Sequence, residues 1–371
     1  MKIFSCSACG SVLFFENSQC TQCGRVVAYL QDRSTLGSLD RGTQQGERDD
    51  LYASVPDGKR YRLCRNYTEL GVCNWAIPEG DSDPLCRSCV LNVTIPNLSQ
   101  PSNIDAWARL ERAKRRLIHT LVGLNLPVES RSERSKEGLA FAFKQDQGSQ
   151  EKVFTGHEDG LITINVAEAD TPFLEKTRVE LGERYRTLLG HFRHESGHYY
   201  WSRLIERSDK LESFRARFAD ERLDYGAASR RHYEQGAPAD WALHFVSPYA
   251  SMHPSEDWAE TWAHYLHMVD TLETARSFGM ALRPAAAGAT SGMTTTVRHI
   301  DFDDFEDLIG AWLPLTIAVN SLNRSMGLPD AYPFVLCDEA ILKLRFVHEV
   351  IEQAAATRKT QPADQPGLGA A

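Results

Sequence analysis

Eight of the nine cysteines fall before residue 90, and six of those sit in pairs separated by two residues. A chain that gathers its thiols in this way has to organise its first part around them. The opening stretch CSACGSVLFFENSQCTQCG pairs Cys6 with Cys9 and Cys20 with Cys23, each pair followed directly by glycine. Glycine lets the backbone turn back toward an ion, and four thiolates complete a tetrahedral zinc site. A second quartet, Cys64, Cys73, Cys86 and Cys89, ends in another such pair but begins with a wider spacing. It predicts a second four-cysteine zinc site, with free buried thiols as the alternative.

The first quartet is the pattern of a zinc ribbon. Disulfides fit poorly, because MKIFSCSACG lacks the apolar core of a secretory leader and a cytoplasmic, reducing location is expected. Cys337, alone in YPFVLCDEAI, is expected to be a small buried hydrophobe within the last helical stretch. The 371 residues carry a net charge of -9, and residues 1 to 100 hold ten Lys/Arg against eleven Asp/Glu, which disfavours nucleic acid as a partner. No apolar run reaches the length of a membrane span.

Three regions are expected: a zinc-ribbon domain over 1–95 with two four-cysteine sites, a mainly helical domain over 101–355, and a disordered tail over 356–371. Between the quartets, SLDRGTQQGERDD reads as a loop. After Pro101 a helix is expected, with Ser102 or Asn103 as its N-cap and RAKRR on a solvated face. Strands are predicted over 139–143 and 160–169, the second alternating around Ile162, Ile164 and Val166. Helices follow over 173–207, 211–234, 255–275, 302–326 and 333–355, with a loop over 283–296. The fold class is α+β, a small cysteine-rich region ahead of a helical domain with a short sheet.

Within the expected helix 173–207 lies FRHESGHYYW. Residues four apart share a helix face, so His194 and His198 can offer imidazoles to one ion. Glu195, directly after the first histidine, projects beside that point and can take a proton from a water activated there. The bland alternative is one turn of helix with two partly exposed histidines. A third ligand is available in SPYASMHPSEDWAETWAHYLH, where Pro254 and Ser255 mark a helix start and Glu256 and Glu260 fall on one face. Glu256 can bind an ion. Glu260 can hydrogen-bond the far nitrogen of a ligating histidine and set its tautomer. His253, His264 and His267 are left out of the ligand set, because three protein ligands and a water fill such a site. His157 is given a structural role, and Tyr199, Tyr200 and Trp201 are expected to pack the helix against the core.

These residues resemble the gluzincin group of metallopeptidases, in which the H-E-x-x-H motif is completed by a glutamate on a following helix. Glu256-Asp257-Trp258-Ala259-Glu260 is similar to the helix of the lethal-factor type. That resemblance implies that Tyr249, seven residues before Glu256, hydrogen-bonds a developing oxyanion. Taken whole, CSACG…CTQCG, TGHEDGLITIN, FRHESGHYYW and SPYASMHPSEDWAETWAHYLH resemble a bacterial family of zinc-binding metallopeptidases with an N-terminal zinc ribbon. The resemblance implies one catalytic and two structural zinc ions, a peptide or protein substrate, and a strand along the cleft, for which GLITINVAEA is a candidate. A different class of function, a non-catalytic binding or regulatory protein that recruits protein partners through its ribbons, is the alternative.

Overall fold

In a computed structural model, which describes residues 2–42, 50–55, 57–131, 137–146, 152–180, 187–284 and 293–360, the chain opens with a hairpin of β1 (Phe4–Ser5) and β2 (Val12–Leu13). Cys6 and Cys9 lie on its turn. Gly10 and Gly24, each closing a cysteine pair, take φ of 77° and 72°, the left-handed region that side chains avoid.

Five strands then close into a barrel: β3 (Val26–Leu30), β4 (Thr35–Arg41), β5 (Leu51–Ser54), β6 (Arg60–Leu63) and β7 (Trp75–Pro78). Neighbours along the chain pair antiparallel, and β3 closes on β7 in parallel. Strand alternation divides the side chains. Ala28, Leu30, Leu39, Tyr61 and Ala76 form a small core of their own, while Val27, Tyr29, Leu36, Trp75 and Ile77 join the main core. The expected loop from Ser38 is corrected here, since Ser38–Arg41 belong to β4, Ser38 and Leu39 pairing with β3 and Leu39–Arg41 with β5. Backbone pairing, which polar side chains permit, decides this segment. Residues 43–49 of that stretch lie outside the described residues.

After α1 (Arg65–Thr68) and β8 (Asn92–Thr94) comes α2 (Pro101–Gly123). Pro101 opens this helix behind Gln100, so Ser102 and Asn103 lie inside it rather than capping it. The basic run is not a solvated face: Lys114 and Arg115 are buried and only Arg112 is exposed. Lys114 reaches Glu111 at 2.9 Å and also Asn92, Arg115 donates to the Val72 carbonyl, and Arg116 meets Glu16. The cause is the ribbon region packing on this side of α2, where Tyr29 Oη also meets His119 Nδ1 at 2.8 Å.

A four-stranded sheet combines β8 with β9 (Ala140–Lys144), β10 (Gly156–Glu158) and β11 (Leu161–Asn165) in the order β10-β11-β9-β8. β11 therefore lies inside the sheet, and its hairpin partner β10 forms the edge. The strand expected to reach residue 169 stops at Asn165, whose side chain accepts from Ala167 N at 2.9 Å and turns Val166–Ala169 into a 3-10 turn.

The helices are α3 (Thr171–Glu180), α4 (Leu188–Leu204), α5 (Leu211–Phe218), α6 (Tyr225–Gln235) and α7 (Pro254–Ser277). After the two-residue strands β12 (Ala281–Leu282) and β13 (Thr295–Thr296) come α8 (Phe305–Ser325) and α9 (Asp338–Thr360). Two expected helices are each divided. Thr187 starts α4 afresh by accepting from Gly190 N, and Ala219, at φ 72°, ends α5. β13 falls within the expected loop 283–296. α9 continues to Thr360, so residues 356–360 are helical rather than tail, and 361–371 lie outside the described residues. Cys337 is half-buried just ahead of α9, not within it, and its sulfur accepts from Ala340 N at 3.4 Å. Among the described residues no helix is long and apolar enough to cross a membrane.

On α7, His264 is buried and His267 half-buried, and neither lines the cleft. Burial lowers His264 from 6.5 to about 4 and His267 to about 3, and His264 Nδ1 meets Tyr332 Oη at 2.7 Å. The unfolded chain then takes up protons that the folded one refuses. Stability present above pH 6.5 is therefore lost as pH falls toward 4. Urea midpoints measured across that interval should decline, and His264→Gln, which cannot titrate, should flatten the decline.

Candidate metal centre

α4 and α7 pack face to face, and Gly197 makes the approach close. A Cβ there would meet Ala259 Cα at 2.9 Å. Trp258 Nε1 donates to the Gly197 carbonyl at 2.8 Å and Trp262 Nε1 to Ser196 Oγ at 3.1 Å, so the middle of the motif is fastened to the glutamate helix. His253 caps α7 by accepting from Ser255 N at 3.1 Å, and Pro254 takes the first helical position. The carboxylates of Glu256 and Asp257 therefore lie at the positive end of the helix.

His194 Nε2, His198 Nε2 and a Glu256 carboxylate oxygen converge, all within 4.8 Å of one another. The imidazole nitrogens are 3.2 Å apart, and Glu256 Oε2 is 3.0 Å from His194 Nε2. Two nitrogens bound tetrahedrally to one zinc would stand about 3.4 Å apart. The donor set fits zinc. Glu260 Oε1 lies 2.8 Å from His194 Nδ1 and Oε2 accepts from Ser247 Oγ at 2.6 Å. That holds the proton on Nδ1 and turns the Nε2 lone pair toward the convergence point.

Burial and charge compete here. Burial would lower the His194 pKa, but Glu256 and Glu260 together raise it well above its usual value. Burial likewise opposes ionisation of Glu260, yet His194 brings its carboxyl down to about 2. Tyr249, on the turn before α7, keeps its proton firmly, because burial and the nearby Glu256 carboxylate both resist a phenolate. Its ring lies 5.9 Å from that of His194.

His194, His198, Tyr249 and Glu256 line a cleft of about 460 Å³ that also includes Glu195, Thr155, Gly156, His157, Trp201, Ser202, Tyr225 and Ser255. Glu195, 8% exposed, faces this space beside the two histidines. Tyr225 and the β10 edge were not legible in the sequence. Tyr225 opens α6, far along the chain from either motif, and comes close to Tyr249 and Glu256 only through folding. Trp201 packs against the core as expected, its ring 5.8 Å from that of Phe214, and also forms part of the cleft wall. Tyr199 and Tyr200 are buried as expected, donating to the carbonyls of Glu137 and Pro127. His157 serves its own hairpin, its Nε2 accepting from Gly160 N at 3.0 Å. Burial lowers its pKa to about 4, which keeps it neutral.

Both cysteine quartets also converge, Cys6, Cys9, Cys20 and Cys23 in one and Cys64, Cys73, Cys86 and Cys89 in the other. Sulfur separations of 3.7 Å (Cys6–Cys23), 3.6 Å (Cys9–Cys20) and 3.8 Å (Cys73–Cys86) match the roughly 3.8 Å expected for thiolates sharing a tetrahedral zinc. The two sites differ in exposure: Cys9 is exposed, whereas all four members of the second quartet are buried.

A family model described as a putative zinc-binding metallo-peptidase matches residues 103–350, and a zinc-ribbon domain model matches residues 3–100. Uncharacterized proteins of Mycobacterium bovis and of two Mycobacterium tuberculosis strains are 42% identical over 356 residues, covering 96% of this chain and 96% of each relative. No solved structure gives a significant match. With that model covering both helices of the candidate metal centre, and relatives aligned along nearly its whole length, the chain belongs to the putative zinc-binding metallo-peptidase family, with a zinc-ribbon domain ahead of the region matched by that model.

Proposed function

We propose that the protein is a zinc-dependent peptidase that hydrolyses amide bonds in extended peptide segments, with one catalytic and two structural zinc ions. The observation that carries this reading is the convergence of His194, His198 and Glu256 in a cleft that also holds Glu195. A zinc ion bound there supplies Lewis acidity, lowering the pKa of an attacking water and polarising the scissile carbonyl. Glu195 takes the proton from that water and delivers it to the departing amine, so that one carboxylate serves as base and then as acid. Tyr249, held protonated, donates to the oxygen that becomes negative as the carbonyl carbon turns tetrahedral. Glu260 holds His194 in the ligating tautomer. A substrate strand can add to β10, the sheet edge at the cleft. Two cysteine quartets grouped to hold zinc suit a reducing compartment, which supports action in the cytoplasm.

Zinc content of the purified chain, wild type and His194→Ala, tests the centre. About three ions per chain falling to about two are expected, because each full donor set closes one site. Two ions in both proteins would overturn the catalytic assignment and favour a non-catalytic protein on this scaffold.

A further inference from the structure

Glu168 sits on the 3-10 turn after β11 and is 4% exposed. One of its carboxylate oxygens accepts from His191 Nδ1, and the other accepts from Thr155 Oγ1. His191 lies on α4 one turn before the ligating His194, and Thr155 immediately precedes β10. A single buried carboxylate thus ties the metal-binding helix to the edge strand of the cleft. Thr155 is held from its other side too, its hydroxyl accepting from Asn165 N at 3.1 Å. Asn165 in turn donates to the Val153 carbonyl at 2.9 Å.

What the tie holds in place is β10, the edge strand of this sheet among the described residues. Asp159 and Gly160, at φ 47° and 82°, make a two-residue hairpin turn between Glu158 and Leu161. In such a hairpin the residues flanking the turn form the hydrogen-bonded pair, so the next pair, His157 opposite Ile162, turns its main-chain groups outward. The His157 N–H and carbonyl then face away from β11, and His157 is a cleft residue. β10 is only three residues long and hangs on a tight turn. Its own ladder therefore gives it little stiffness.

We propose that Glu168 is a positioning residue for substrate: by clamping Thr155 to His191 it sets the distance between the β10 edge and the metal-binding turn of α4, and so where a bound peptide strand lies relative to Glu195. The proposal rests on the peptidase reading for its kinetic consequence. Its structural consequence, a β10 stiffened through Glu168, stands apart from that reading.

The test uses the full zinc-loaded chain as wild type, Glu168→Ala, Glu168→Gln and Thr155→Val. Thr155→Val removes one hydroxyl and leaves the Glu168–His191 pair in place, so it serves where Glu168→Ala fails to fold. Hydrogen exchange of the amides over 156–160 should quicken roughly tenfold in Glu168→Ala and Thr155→Val, while α4 amides and zinc content stay as in wild type. With internally quenched fluorogenic peptides, KM should rise about tenfold and kcat stay within about twofold. Glu168→Gln, which keeps an acceptor for Thr155, should recover part of both effects. Unchanged exchange over 156–160, or a fall in kcat at constant KM, overturns the proposal. If the wild type cleaves none of the peptides, the peptidase reading fails and the exchange measurement alone decides the clamp.

Discussion

Replacing Glu195 with glutamine is expected to lower kcat/KM by roughly 10³-fold while zinc content and folding stay unchanged. The two side chains are nearly the same size, and Glu195 is not among the three converging donors, so the exchange is expected to remove only the capacity to accept and return a proton. Helix packing is spared as well, because the contacts that join α4 to α7 through Arg193, His194, Ser196 and Gly197 are left in place. Zinc analysis alongside turnover separates the possibilities. Hydrolysis retained in Glu195→Gln would remove the proposed base. Lost hydrolysis accompanied by lost zinc would mean that the substitution had damaged the site rather than the chemistry.

The second large effect concerns stability. Cys86→Ser should cost on the order of 5 kcal/mol or more and lower the zinc content by one ion, because binding at a structural zinc site is itself folding free energy. Cys86 is completely buried, lies 3.8 Å from Cys73, and its backbone N–H donates to Cys64 Sγ at 3.4 Å. The segments carrying this quartet also brace α2, through the Val72 carbonyl on Arg115 and Asn92 on Lys114. Opening the site therefore takes the Val72 carbonyl from buried Arg115 and the Asn92 amide from buried Lys114, a costly loss even though Lys114 keeps Glu111. Cys9→Ser should lose one zinc at a much smaller cost, since Cys9 is exposed on a hairpin turn. Denaturant unfolding of the two variants side by side checks the contrast, and equal losses would contradict it.

The legible parts of this protein are those whose chemistry depends on short spacing. Cys6 and Cys9, Cys20 and Cys23, and Cys86 and Cys89 lie on local turns, and His194 with His198 on one helix face, so turn and helix geometry alone bring each pair together. Glu256 and Glu260 are readable for the same reason. Less legible were the segments whose neighbours are remote in the chain. Ser38–Arg41 look like loop because a strand paired on both sides can be built from polar residues. Lys114 and Arg115 look solvated because nothing near them in sequence announces the Glu111, Asn92 and Val72 groups that meet them.

By itself, then, the sequence determined the α+β class and picked out the two thiol quartets and the His194, His198 and Glu256 trio that the fold brings together, since each rests on periodicity or on the number of donors an ion takes. Only the tertiary structure decided which strand borders the cleft, that Tyr225 and Trp201 share it, and that Glu168 links β10 to α4. Those relations join residues from separate elements, and no local propensity encodes how a sheet edge is set against a helix. That placement is decided by which faces must be buried and by which buried polar groups must find partners.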